Sequence, residues 1–329
     1  QPLLAFARHR FIGEVSDLLL ISLCLISLLM AWMSWRYVEK PFRDKSLTTR
    51  KFIFTFSISG IAIFSLIGFL LQFERVTHSS LTNSQKIIVQ NFNNPSAYTI
   101  GKFNEITSKP FNPDSNNKKI LIIGSSFAQD LTNVFFELGL DSKMDISAFY
   151  IQHSCRVLFI NAEELEKVRG RDCINREPAL KNNDLQSLLK DADEVWLASS
   201  WSHDAPFYMR ESIEALKSFN SNIVVFGTKN FGKVSEGFYK IAPEKKWANR
   251  QFSDLEIKNF LKDDNLNTLL EAKVIDAGAK FINTQRLMCD GEPYCNNFQE
   301  YNLISYDGSH LTPYGPSLLA EKLKEFFFD

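Results

Sequence analysis

Hydrophobic positions follow two regimes along the chain. Leu18–Trp35 (LLLISLCLISLLMAWMSW) and Phe52–Phe73 (FIFTFSISGIAIFSLIGFLLQF) carry no charged residue. At ~1.5 Å per residue, each run is about long enough to cross a hydrocarbon core of ~30 Å. Ser and Thr within the runs can bond their own helix backbone. Two such runs in tandem predict two transmembrane helices rather than one buried core helix. Trp32, Trp35 and Tyr37 sit where an interfacial aromatic belt would lie.

Beyond residue 117 the pattern becomes short apolar runs alternating with helix-period stretches. Lys119–Gly124 (KILIIG) predicts a buried strand, followed by a helix over Phe127–Leu138. Ile146–Ile151, Glu194–Ala198 and Ile223–Phe226 predict three further strands, and Lys280–Asn283 a short fifth. Pro206–Ser218 and Gly315–Phe327 read as helices, and Leu255–Gly278 as an interrupted helical stretch. Strands alternating with helices predict an α/β domain, a parallel sheet between helical layers. Ligands of such sheets bind at the carboxyl ends of the strands.

Between the two regimes, Asn93, Asn94, Pro95, Pro110, Asn112, Pro113, Asn116 and Asn117 break any long periodicity. The expected organisation is therefore a membrane region over 1–74, a connector over 75–117 and an α/β domain over 118–329. The connector either packs on the domain or serves as a spacer. The chain opens at Gln1 directly on membrane-like sequence, with no signal-peptide cleavage site. It reads as the C-terminal part of a longer protein.

Charge adds orientation. The formal net charge of −1 gives no field that points to nucleic acid. Arg36, Lys40, Arg43, Lys45, Arg50 and Lys51 flank or fill the loop between the apolar runs, against only Glu39 and Asp44. The positive-inside rule makes that loop cytoplasmic. The expectation is a bacterial inner-membrane protein whose residues 75–329 lie in the periplasm.

Cys24 lies in an apolar run, whereas Cys155, Cys173, Cys289 and Cys295 fall in the domain expected outside. An even number in an oxidising compartment predicts disulfides. Of the three possible connectivities, local pairing gives Cys155–Cys173 and Cys289–Cys295. Zinc is the rival use of these cysteines, but no C-x-x-C pair supports it, and no metal site is expected.

Two short motifs carry the candidate chemistry. Gly124-Ser125-Ser126 stands where KILIIG ends and a helix begins. A serine there is exposed at the sheet edge, and helix-start N–H groups can stabilise an oxyanion. The same serine could instead simply cap the helix. Asp307-Gly308-Ser309-His310 precedes the last helix. An Asp three residues before a His can hold one ring nitrogen while the other faces a nucleophile. Taken alone, this stretch also fits an ordinary Asp-Gly turn.

The order of the two motifs resembles the SGNH (GDSL-like) hydrolase and acyltransferase superfamily over roughly residues 118–329. That resemblance implies a flavodoxin-like three-layer α/β/α domain. It casts Ser126 as nucleophile, His310 as general base and Asp307 as its orienting partner. Ser125 replaces the family's usual Asp. The family's Gly-x-Asn-Asp block has no clear counterpart, the chain having Ser199-Ser200-Trp201-Ser202 after the third strand. The Ser126 N–H is then one oxyanion donor, with Ser154 and Ser200 as substitutes for the others.

Trp35-Arg36-Tyr37-Val38-Glu39-Lys40-Pro41-Phe42-Arg43 resembles the segment after a late span in the acyltransferase-3 family. Some members of that family carry one more span and an external SGNH domain. They include bacterial O-antigen and other surface-glycan O-acetyltransferases. The resemblance implies a glycan O-acetyltransferase module that works with a membrane acyltransferase region N-terminal to this chain. Acetyl-CoA would be the ultimate acyl donor and a surface polysaccharide the acceptor, with no cofactor bound by the domain itself. A glycan acetylesterase and a non-catalytic glycan-binding module are the alternatives.

Other motifs count for less. Gly227-Thr228-Lys229-Asn230-Phe231-Gly232-Lys233-Val234 follows a strand and nearly matches a P-loop, but Val234 lacks the magnesium-binding hydroxyl. His203, after Trp201, reads either as a substrate-site residue or, more commonly for such a position, as a surface or capping residue, and His153, beside Cys155, is equally open. No Gly-x-Ser-x-Gly elbow occurs, which argues against an ordinary α/β-hydrolase.

Overall fold

The computed structural model describes residues 17–40, 49–76, 95–168, 170, 173, 178–219, 222–232, 252–299, 302–305 and 307–328. The chain divides into two compact units near residue 90.

In the first unit, α1 (Asp17–Met33) runs into a π-helical turn (Ser34–Glu39), and α2 covers Arg50–Val76. A helix on a soluble core buries one stripe and wets the other. Here Leu18, Leu25, Leu28, Phe54, Ile61 and Phe64 are all exposed. The Ser22 and Ser27 hydroxyls donate to the Leu18 and Leu23 carbonyls, both at 2.8 Å, so these polar groups are satisfied within the helix. Among the described residues, one apolar helix, Asp17–Tyr37, is long enough to cross a membrane. The second expected span is helical, but its described apolar part, Phe54–Leu70, falls short of that length. The side chains of Phe52, Ile53 and Leu71–Phe73 lie outside the described residues, as do Arg43, Asp44 and Lys45 of the expected cytoplasmic loop.

The second unit contains α3 (Pro95–Ile106), β1 (Lys118–Gly124), α4 (Ser126–Glu137), β2 (Met144–Tyr150), α5 (Ala162–Val168), α6 (Asn183–Asp191) and β3 (Glu194–Ala198). It continues with α7 (Ala205–Lys217), β4 (Asn222–Phe226), α8 (Asp254–Asp276), β5 (Lys280–Ile282) and α9 (Thr284–Met288). A two-stranded ribbon of β6 (Phe298–Gln299) and β7 (Asn302–Leu303) precedes α10 (Tyr314–Phe328).

The five main strands are parallel, in the order β2-β1-β3-β4-β5. Ile120 through Ile123 are fully buried, so β1 is covered on both faces, as a central parallel strand must be. Alternation sends Leu121 and Ile123 to a core shared with Leu185, Ile213 and Leu270 of α6, α7 and α8. Ile120 and Ile122 face a second core with Leu131 and Phe135 of α4 and Leu319 and Leu323 of α10. The result is the expected three-layer α/β/α arrangement. In this strand order the winding direction reverses at β1/β3, which opens a crevice at the carboxyl ends.

Gly124 sits at that crevice, opposite Tyr150 of β2 and Ala198 of β3. A Cβ here would overlap the Ala198 carbonyl oxygen. Gly124→Ala should therefore destabilise the domain by about 3 kcal/mol. At 2–4 °C per kcal/mol, a thermal melt should fall by roughly 6–12 °C. An unchanged melting temperature would mean that β1 and β3 do not approach in this way.

α8 is continuous, not interrupted, despite the run Asp263-Asp264-Asn265. Its polar residues that point inward are anchored: Asn267 accepts the Thr228 N–H and donates to the Thr228 carbonyl, and Asp264 takes both Arg286 nitrogens at 2.8 Å. A capping box of Ser253 and Glu256 fixes its start. In the connector, α3 packs on the sheet domain through Phe103 and Ile106, and the Ser108 N–H donates to the Ala148 carbonyl at 2.7 Å. The connector's second half is thus part of the domain and no spacer, while residues 77–94 lie outside the described set. The structure pairs Cys155 with Cys173 and Cys289 with Cys295, the pairing that locality predicts.

Candidate active site

β1 ends at Gly124, and α4 starts two residues later. Ser125 is its N-cap residue, and the Ala128 and Gln129 N–H groups donate to its carbonyl at 3.0 and 3.3 Å. The Ser125 side chain points inward, fully buried, with its hydroxyl 3.4 Å from that of Ser199. Ser126, the next residue, is half-buried at the crevice. The first N–H groups of a helix have no partner within it, so the start of α4 offers donors where a serine-bound oxyanion would form.

The second motif lies in a hairpin-like loop closed by a bridge between Ser305 and Leu311. The Asp307 carboxylate orders this loop. One oxygen accepts the Ser309 and His310 N–H groups at 2.9 and 2.8 Å, and the other lies 2.6 Å from His310 Nδ1. Gly308, at φ +93°, makes the turn that only glycine adopts easily. The Phe231 N–H donates to the Gly308 carbonyl at 2.7 Å, tying the loop to the segment after β4.

These contacts set the charges. Burial alone would raise the Asp307 pKa, but hydrogen bonds from the His310 ring and from the His310 and Ser309 N–H groups hold it well below the usual carboxylate range. The hydrogen bond to Asp307 raises the His310 pKa, against the opposing effect of burial. An ionised carboxylate can only accept. It therefore keeps a proton on Nδ1 and leaves Nε2 of the neutral imidazole as the free base.

The two motifs meet through their neighbours. The Phe127 ring stands edge-on to the His310 ring, centroids 6.3 Å apart. Both carboxylate oxygens of Asp130, one helical turn after Ser126, accept the Leu311 N–H at 3.2 Å. The residues after Ser126 thus touch His310 and the residue after it. This arrangement can support nucleophilic acyl transfer: a serine at a helix start, a base, and a carboxylate that orients the base.

The other oxyanion candidates stand on the same sheet edge but on neighbouring strands. Ser154 lies in a 3₁₀ turn after β2, where the Gly170 N–H donates to its carbonyl at 2.7 Å. Its buried hydroxyl has no partner among the described residues. Ser200 is half-buried just after β3, next to Trp201, whose indole N–H donates to the Phe226 carbonyl at 2.7 Å. His153 and His203 are exposed. No group of three or more metal-ligating side chains occurs among the described residues.

Sequence reasoning missed the pair Asp130 and Lys229. Lys229 Nζ lies 2.8 Å from the Asp130 carboxylate and 3.4 Å from the Phe127 ring centroid. Their side chains are 3% and 2% exposed. Lys229 belongs to the near-P-loop stretch, whose N–H groups are directed into the protein. Thr228 donates to Asn267, Asn230 to Gln285, and Gly232 to the Asn230 side chain. A legible signal did exist: Asp130 sits on the apolar stripe of α4, between Phe127, Leu131 and Val134. A charge there requires a buried counter-charge.

Known proteins place this geometry in context. No curated protein matches the chain. Among solved structures, the lipopolysaccharide acetyltransferase periplasmic domain of Salmonella ser. Paratyphi A is similar at 18% identity and a TM-score of 0.51. That match covers 76% of this chain and 99% of the other. An acetyl xylan esterase from Geobacillus stearothermophilus aligns at 13% identity and a TM-score of 0.39, over 64% of this chain and 95% of the other. The C-terminal catalytic domain of a Streptococcus pneumoniae peptidoglycan O-acetyltransferase aligns at 12% identity and a TM-score of 0.30, over 64% and 92%. The family model described as "SGNH domain (fused to AT3 domains)" matches residues 95–325. With more than half of its length so matched, the chain belongs to the family of SGNH domains fused to AT3 domains.

Proposed function

We propose that this domain is an O-acetyltransferase module that passes an acetyl group through Ser126 to a hydroxyl of a bacterial surface glycan of the O-antigen or lipopolysaccharide kind. One observation carries the reading: the Asp307–His310 pair is docked at the start of the helix on which Ser126 stands. Membership of a family fused to AT3 domains supports transfer over plain hydrolysis. In this reading, residues 1–74 end an acyltransferase-3 membrane region with two spans. The basic loop after Trp35 is cytoplasmic, and residues 75–329 lie in the periplasm. Acetyl-CoA is the ultimate donor, delivered through the membrane region.

The chemistry runs in two balanced halves. Ser126 Oγ attacks the acyl carbonyl while its proton passes to His310 Nε2. The donor's leaving group departs with that proton, and an acetyl-serine ester remains. His310 then removes the proton of a sugar hydroxyl, which attacks the ester. The Ser126 oxygen leaves and regains a proton from His310. The Ser126 N–H, with Ser154 or Ser200 nearby on the sheet edge, stabilises the oxyanion in both halves.

The test is the acetyl content of surface glycan, read by mass spectrometry, in cells that carry the full-length protein or its Ser126→Ala variant. Acetylation should be present with the first and absent with the second. Normal acetylation with the variant would reduce the domain to a binding module. Loss of acetyl groups from pre-acetylated glycan, with no gain on bare glycan, would make it an esterase.

A further inference from the structure

We infer that Asp130 and Lys229 are positioning residues that fix the distance between the nucleophile and its base; this inference rests on the triad proposed above. Ser126 and Asp130 are four residues apart on α4, hence one above the other on the same helix face. His310 and Leu311 are consecutive. The hydrogen bonds from the Leu311 N–H to both oxygens of Asp130 therefore tie the base's loop to the nucleophile's helix one turn below the reacting atoms.

Lys229 makes that tie firm. A carboxylate is roughly twice as strong an acceptor as a neutral group, but a lone buried carboxylate takes up a proton instead of staying ionised. Burial raises the Asp130 pKa and lowers that of Lys229, and each charge opposes the shift of the other. The Lys229 ammonium bonds Asp130 and rests on the Phe127 ring, which in turn abuts the His310 ring. The space beside the pair is a cavity of about 20 Å³ lined by Phe127, Ala198 and Leu319, room for about one water. Two residues after Lys229, the Phe231 N–H holds the Gly308 carbonyl. The segment after β4 thus grips the histidine loop at two points, once directly and once through Asp130.

The experiment uses the 329-residue chain in detergent with p-nitrophenyl acetate as the acyl donor. Breaking one half of a buried ion pair strands a charge, whereas replacing both halves together is often tolerated. Two double variants therefore separate positioning from folding. Asp130→Asn/Lys229→Met removes both charges but keeps an acceptor for the Leu311 N–H. Asp130→Leu/Lys229→Met removes the acceptor as well. The first should lose only about threefold in kcat, as a neutral acceptor replaces a charged one. The second should lose roughly 10–100-fold, as expected for a base displaced by about 1 Å. KM should change little in either. Equal kcat in the two doubles would overturn the inference. If the leucine double variant does not fold, the Leu311 amide resonance in Asp130→Asn/Lys229→Met decides: an upfield shift of its proton supports the tie, and an unmoved resonance overturns it. Full turnover by Ser126→Ala would instead sink the triad, and this inference with it.

Discussion

In the proposed triad, Ser126→Ala and His310→Ala should each lower acetyl transfer on the order of 10³-fold or more, and the double variant Ser126→Ala/His310→Ala should be no worse than either single, because triad members act as a unit. The fold should survive all three. Ser126 is half-buried at the crevice, and the His310 side chain is 37% exposed, so neither substitution opens a core cavity. Circular dichroism and a thermal melt check this before any rate is read. Ser125→Ala is the internal control. Its hydroxyl is buried against Ser199 and has no step in the chemistry, so most activity should remain. If Ser125→Ala abolishes transfer and Ser126→Ala does not, the two neighbouring serines have been assigned the wrong roles.

Asp307→Asn carries the next largest effect, and it has a signature in pH. In the proposed mechanism His310 works as a base only when neutral, so the rate should rise with pH through its pKa. The hydrogen bond to Asp307 raises that pKa, so the wild-type midpoint lies above the ordinary 6.5 of a histidine. With the carboxylate gone, burial is left to act and lowers the pKa. The midpoint should therefore move to lower pH while the plateau rate falls by roughly 10²–10³, less than for loss of the base itself, because an amide no longer enforces the productive tautomer. Stability moves the other way. The raised His310 pKa contributes stability that is full below 6.5 and is lost as pH rises through the folded value. The depressed Asp307 pKa contributes stability that is full above 3.8 and is lost as pH falls through its folded value. The pair is thus firmest in mildly acidic solution, where the base is least active. A profile of kcat/KM against pH for both forms decides the matter, and an unshifted midpoint in Asp307→Asn would separate Asp307 from the base.

Local chemistry explains what was legible in the sequence. KILIIG announces a central strand because four consecutive branched apolar residues, closed by a glycine and too few for a helix, suit a short strand covered on both faces. Asp307 and His310 are legible because three residues suffice to bring a carboxylate to its own neighbour's ring. The locality of six- and eighteen-residue separations likewise pointed to the disulfides. What stayed hidden depends on partners far away in the chain. Asp130 and Lys229 are 99 residues apart, and nothing near either one names the other. The continuity of α8 was hidden in the same way, because its inward polar residues Asn267 and Asp264 find their partners in Thr228 and Arg286, outside the helix. α3 looked like connector because its few apolar residues, Phe103 and Ile106, acquire meaning only when α4 and β2 are beside them.

The docking of the last helix has a consequence in time. Asp130 and Leu311 are 181 residues apart, and α10 locks onto α4 through Leu319, Leu323 and the hydrogen bond from Ser317 to Glu137. Closing a loop of that length costs only slightly more than closing a much shorter one, so thermodynamics sets little penalty on the arrangement. Synthesis, however, proceeds from the amino end. A nascent chain therefore makes Ser126 long before Asp307 and His310. In the proposed triad, Ser126 thus stays unactivated until the segment that carries Asp307 and His310 docks on α4.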